Sequence, residues 1–186
     1  LVSGGGTNLQ ALLDAQAAGR IPHGEIALVV SNRDGAYALE RAKNAGVPAV
    51  ALPGAGFEAR LTAALESAQI DMIILAGFLK ILSADFTKRW PNRIINVHPA
   101  LIPAFCGEGF YGLKVHEAAL RYGVKVTGAT VHFVNEVPDG GEIILQKAVD
   151  IHPGDTPETL QRRVMEEAEW ILLPQAAEFV AERLQK

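Results

Sequence analysis

Short β-branched runs alternate with amphipathic helical stretches through the first hundred residues, and this alternation constrains the chain more than any other feature. Leu1-Val2 reads as the tail of a strand, and Asn8 to Ala18 as a helix with Leu9, Leu12 and Leu13 on one face. Strand runs follow at Ile26–Val30, Val50–Leu52, Met72–Leu75 and Arg93–Val97. Between them lie helical runs at Tyr37–Asn44, closed by Gly46 and Pro48, and at Phe57–Gln69. Such a pattern predicts right-handed βαβ units and a Rossmann-like, mostly parallel sheet with helices on both faces, an α/β fold. The second half changes character. Lys125–Asn135 and Glu142–Ile151 are long and β-branched, and they predict an antiparallel pair around the turn Glu136–Gly141. A long C-terminal helix is expected from Thr156 as N-cap and Pro157 as first helical residue toward Leu184. Leu160, Val164, Ala168 and Ile171 should face inward, with a kink at Pro174.

At 186 residues with no repeat, linker or low-complexity tract, positions 1–186 form one domain. Leu1-Val2 is too short for a central strand, so the first strand is expected to continue upstream. With 17 basic and 21 acidic residues the chain carries a net charge of −4 and lacks the basic footprint of a nucleic-acid binder. An anionic substrate must therefore be held by local groups. No apolar run is long enough for a membrane span, and the single cysteine, Cys106, excludes an internal disulfide and suits a reducing cytoplasm. The expected partners are small molecules, with the chain acting as monomer or homodimer.

Ser3-Gly4-Gly5-Gly6-Thr7-Asn8 joins a strand end to a helix start. Glycines let the backbone approach a ligand, while free N–H groups and the helix dipole favour an anion. The spacing matches neither the dinucleotide fingerprint nor a Walker loop, so a single phosphate fits better than a pyrophosphate. A plain turn capped by Thr7 or Asn8 accounts for the loop equally well.

Asn96 and His98, two apart on a strand closed by Pro99, share one face. An amide donor beside an imidazole can stabilise an oxyanion and move protons during attack on a carbonyl. Alternatively, His98 merely caps a backbone carbonyl. The long segment Ala100–Gly112, with Phe105, Phe110 and Tyr111, favours a ligand or partner that covers it. Cys106 has no basic neighbour to activate it and is read as a bystander. Asp139, in Pro138-Asp139-Gly140-Gly141, is ordinary turn chemistry unless it meets His98, in which case it would raise the imidazole pKa. His23, His116, His132 and His152 are scattered and read as structural or exposed, and no metal-ligand cluster is evident.

Taken together, Ser3–Asn8, Leu75-Ala76-Gly77-Phe78-Leu79-Lys80-Ile81-Leu82, Asn96-Val97-His98-Pro99-Ala100-Leu101-Ile102-Pro103 and Val131-His132-Phe133-Val134 with Asp139-Gly140-Gly141 resemble the folate-dependent formyltransferases. The loop at Ser3–Asn8 points to the glycinamide ribonucleotide formyltransferase branch, and the likeness runs over essentially the whole chain. The resemblance implies formyl transfer from 10-formyltetrahydrofolate to the amine of 5-phosphoribosylglycinamide, through a tetrahedral intermediate and without a metal. It implies Asn96, His98 and Asp139 as catalytic residues, with Gly4, Gly5, Gly6, Thr7 and Asn8 on the substrate phosphate and Glu169 on the ribose hydroxyls. Arg60, Leu79, Lys80, Ile81 and Leu82 would meet the folate, as would Asn96, Asn135, Glu136, Val137, Pro138 and Asp139. Lys80 and Ala100 depart from the arginine and serine common in the family. The alternatives are a non-catalytic nucleotide- or phosphate-binding module, or a formyltransferase acting on another amine. Among the latter, a methionyl-tRNA formyltransferase would need a further RNA-binding domain.

Overall fold

The computed structural model describes residues 1–186. The elements in chain order are α1 (Thr7–Ala17), β1 (Val29–Ser31), α2 (Tyr37–Asn44), β2 (Ala49–Ala51), α3 (Phe57–Ser67), β3 (Ile73–Leu75) and α4 (Ala84–Thr87), the last a short helix not expected from the sequence. They continue with β4 (Ile94–His98), α5 (Leu113–Tyr122), β5 (Val126–Phe133), β6 (Ile143–Asp150), α6 (Pro157–Val164), a π turn at Met165–Glu169, and α7 (Trp170–Leu184).

β1 pairs with β2 and β3 with β4, both in parallel, whereas β4–β5 and β5–β6 are antiparallel. Leu1 and Val2 join the two groups. Val2 bridges Ser31 in parallel and its N–H donates to the Val30 carbonyl at 2.9 Å, while the Leu1 carbonyl accepts from Ala76 at 2.9 Å. The Leu1 nitrogen donates to the Ile74 carbonyl at 2.6 Å.

Strand alternation divides the core. Ile95 and Val97 look toward one apolar cluster built on α1 and α7, with Leu9, Leu12, Leu13, Leu173 and Val180. Ile94 looks toward the other, with Phe57, Leu61 and Leu65 of α3 and Phe78, Leu82 and Phe86. Asn96 and His98 therefore emerge on the α3 face, at the end of β4.

Thr156 and Thr159 close a reciprocal capping box at the start of α6, with Pro157 just inside, as expected. Arg163 grips Asp155 with two hydrogen bonds of 2.6 Å and fixes that helix start. The last helix departs from expectation in phase. The irregularity is the π turn at Met165–Glu169, while Pro174 lies within α7. A π turn spends an extra residue and rotates the helix beyond it, so Leu172 and Leu173 are buried and Ile171 is 37% exposed instead of inward.

Candidate active site

One cleft of about 730 Å³ gathers the glycine turn, Leu75–Leu82, the end of β4, the Gly107–Gly112 segment, the Asn135–Asp139 turn and Glu169. Gly4, Gly5, Gly6, Thr7 and Asn8 all line it, as do Leu79, Lys80, Ile81 and Leu82. Arg60 does not. It is exposed and its guanidinium donates to the carbonyls of Pro53 (2.6 Å) and Ala55 (3.0 Å).

Gly6, at φ 73°, is the N-cap of α1, and no side chain caps the helix. The cap that a plain turn would take from Thr7 or Asn8 is absent. The first-turn N–H groups have no intrahelical partner, and Thr7 and Asn8 of that turn line the cleft. Asn8 instead donates through Nδ2 to Glu169 Oε2 at 2.8 Å, while its buried Oδ1 has no partner. Glu169 is itself buried, and desolvation, only partly offset by Asn8, pushes its pKa up to about 7. The carboxyl is therefore poised near neutrality on the cleft wall.

Asp139, whose backbone adopts φ 54°, reaches back from the β5–β6 turn to two imidazoles. Its Oδ2 lies 3.5 Å from His98 Nδ1 and its Oδ1 lies 3.5 Å from His132 Nε2. Its Oδ2 also accepts from the Gly107 N–H at 2.9 Å. Burial raises the Asp139 pKa, but His132, His98 and the Gly107 N–H together outweigh it, and the carboxyl titrates below its ordinary range. Asp139 does raise the His98 pKa, as expected, yet it does not set the balance. Burial lowers its pKa by more than Asp139 and the Phe105 carbonyl raise it, so the imidazole titrates below its ordinary value. A nearly fully buried ring loses more hydration than one carboxylate 3.5 Å away returns.

Tautomers follow from the acceptors. His98 Nε2 faces the Phe105 carbonyl at 2.8 Å, which can only accept, so that nitrogen carries a proton. His132 Nδ1 likewise donates to the Phe133 carbonyl at 2.8 Å. His132 Nε2 lies 3.3 Å from Asn96 Nδ2 and 3.5 Å from Asp139 Oδ1, a position that orients the Asn96 amide and leaves an N–H of it for a ligand. His132 was expected to be structural or exposed. It is buried, yet it belongs to the site, because antiparallel pairing sets it directly opposite Asn96. Only the β4–β5 register reveals this. His116 is buried without a partner, His23 pairs with Glu178 and His152 is exposed, in line with expectation.

The segment after Pro99 packs partly on itself. Phe105 meets Phe110 at a tilt (ring centres 6.4 Å apart) and Tyr122 edge to face (6.0 Å), whereas Tyr111 remains 52% exposed at the cleft, with Lys114 Nζ 3.0 Å from its hydroxyl. Lys80 and Lys114 are the cleft's two basic side chains other than histidine. The Cys106 thiol is pushed up by burial and by Asp139 and donates to the Pro103 carbonyl, as befits a bystander.

An amide, two imidazoles and a carboxylate beside an uncapped helix start are the equipment of acyl-type transfer to an anionic substrate. In agreement, the chain belongs to the formyl transferase family, whose profile matches residues 1–176. Its relatives narrow the family. It is 37% identical to the chloroplastic phosphoribosylglycinamide formyltransferase of Arabidopsis thaliana, covering 98% of this chain and 65% of that protein. It is 41% identical to the trifunctional purine biosynthetic protein adenosine-3 of Drosophila melanogaster, covering 91% of this chain and 13% of that protein. The chain thus spans less than two thirds of either relative. The crystal structure of glycinamide ribonucleotide transformylase 1 from Symbiobacterium toebii superposes with a TM-score of 0.90 at 45% identity, covering 98% of this chain and 85% of that one. No helix is long and apolar enough to cross a membrane.

Proposed function

We propose that the protein transfers the formyl group of 10-formyltetrahydrofolate to the amine of 5-phosphoribosylglycinamide, a step of purine biosynthesis. The observation that carries this reading is the Asn96–His132–Asp139–His98 cluster opening into the same cleft as the uncapped start of α1. The phosphate lies on the Gly4–Asn8 turn and the ribose hydroxyls meet Glu169, whose carboxylate accepts from both. The folate lies along Leu79–Leu82 and Asn135–Asp139. Arg60 can join it only by giving up its present carbonyl partners.

The amine attacks the formyl carbon, a carbon–nitrogen bond forms, and negative charge collects on the formyl oxygen. Asn96 donates its free N–H to that oxygen. His98 gains proton affinity as the charge develops and stabilises it, with Asp139 beside its Nδ1. The bond to the folate nitrogen then breaks, and the proton lost by the amine passes to that nitrogen by way of the His98–Asp139 pair. No side chain becomes acylated and no metal is called for.

The test is a two-substrate assay that follows tetrahydrofolate release. Release should require phosphoribosylglycinamide and 10-formyltetrahydrofolate together. Folate turnover unaffected by omission of the amine would sink the assignment, and so would transfer to an unrelated amine at equal efficiency.

A further inference from the structure

The glycine turn is held from behind. The Gly4 carbonyl accepts from the Ala38 N–H at 3.0 Å, and the Gly5 carbonyl accepts from Arg41 Nε at 2.7 Å, both donors belonging to α2. The same guanidinium donates through Nη1 to Gln10 Oε1 at 3.0 Å, on α1. It also lies 5.0 Å from the centre of the Tyr37 ring, which braces it. Turn and helix touch directly, because a Cβ built on Gly6 would fall 2.6 Å from the Ala38 Cβ. Neither Ala38 nor Arg41 lines the cleft, whereas Gly4 to Asn8 do.

A trans peptide sets its carbonyl and the next N–H on opposite sides of one plane. Tying the Gly4 and Gly5 carbonyls to α2 therefore turns the N–H groups of Gly5 and Gly6 away from α2. They join the uncapped N–H groups of the first turn of α1 on the cleft side. The buried, unpartnered Oδ1 of Asn8 is an acceptor, which suits a hydroxyl of the same ligand and not its phosphate.

We propose that Arg41 is a positioning residue for phosphate recognition. It fixes the Gly5–Gly6 peptide with its N–H toward the cleft and sets a fixed cation behind the turn. The inference rests on the reading of the cleft as a phosphate-ester site. It adds a residue from outside the cleft that decides how well the turn binds that phosphate. Only a forked side chain spans Gly5 and Gln10 together, so lysine is not equivalent here.

Arg41→Met, Arg41→Lys and the unaltered protein are compared by calorimetric titration with ribose 5-phosphate and by steady-state kinetics with both substrates. Arg41→Met should weaken ribose 5-phosphate binding about tenfold, the loss of roughly one charge-assisted hydrogen bond. It should raise KM for phosphoribosylglycinamide by a similar factor and leave kcat and the folate KM within about twofold. Arg41→Lys should recover only part of the loss, and it serves as the informative variant if Arg41→Met does not fold. Equal rises in both Michaelis constants, or a lysine variant indistinguishable from the unaltered protein, would overturn the proposal. The two readings fail separately. Ribose 5-phosphate binding that depends on Arg41 in a protein without formyl transfer sinks the reaction and keeps Arg41. Transfer with ribose 5-phosphate affinity unchanged in Arg41→Met, or with no such binding at all, sinks Arg41 and keeps the reaction.

Discussion

Asp139 Oδ2 lies 3.5 Å from His98 Nδ1, a pairing made between the β5–β6 turn and the end of β4. The carboxylate raises the His98 pKa against a larger lowering by burial. Removing it should therefore push the His98 titration further down. His98→Ala and Asp139→Asn should each reduce turnover by about 10²-fold or more with little change in either KM, since the charge they meet develops only during attack. The double variant should lose much less than the product of the single losses. Turnover of the three variants and NMR titration of His98 in the Asp139 variant check this. Multiplicative losses with an unshifted titration would uncouple the pair.

His132 acts on Asn96 through one 3.3 Å contact, so its effect should appear in kcat. Asn96→Ala should cost about 10²–10³ in kcat, as for other oxyanion donors. His132→Phe keeps a ring but frees the amide. It should lower kcat by a smaller factor, with nothing further lost once Asn96 is alanine. A His132→Phe variant with unaltered kcat would show that Asn96 is oriented by other groups.

Glu169 should leave a signature in stability as well as binding. Its folded pKa of about 7 lies above the ordinary 4.5, so the folded state holds the proton more tightly. That contribution is full below about pH 4.5 and is lost as pH rises through 7. Glu169→Gln should be the more stable form at pH 8 and should flatten the pH dependence, while raising KM for the ribosyl substrate. Urea denaturation of both forms at pH 5 and pH 8 provides the comparison.

Two neighbouring glycines should behave differently. Gly5 has open space around a built Cβ, whereas Gly6 combines φ 73° with the close approach to Ala38. Gly5→Ala should change stability by less than about 0.5 kcal/mol. Gly6→Ala should destabilise the protein and raise KM for phosphoribosylglycinamide well beyond that for the folate. Melting curves and both Michaelis constants for the two variants decide it.

What the sequence determined by itself is what local periodicity and residue chemistry carry. The βαβ alternation, the antiparallel pair, the Thr156–Pro157 helix start, and the shared face of Asn96 and His98 all follow from spacings of two, three or four residues. The tertiary structure decided everything that depends on register and burial. His132 joined the site because β5 pairs antiparallel with β4 and sets it across from Asn96. Ile171 left the core because the π turn shifted the phase of the last helix. The pKa of His98 moved down instead of up because desolvation depends on everything packed around the ring, and a sequence names only its neighbours along the chain. Arg41 came to stand behind the glycine turn for the same reason. Its hydrogen bond to Gly5 exists only once α2 lies against the start of α1.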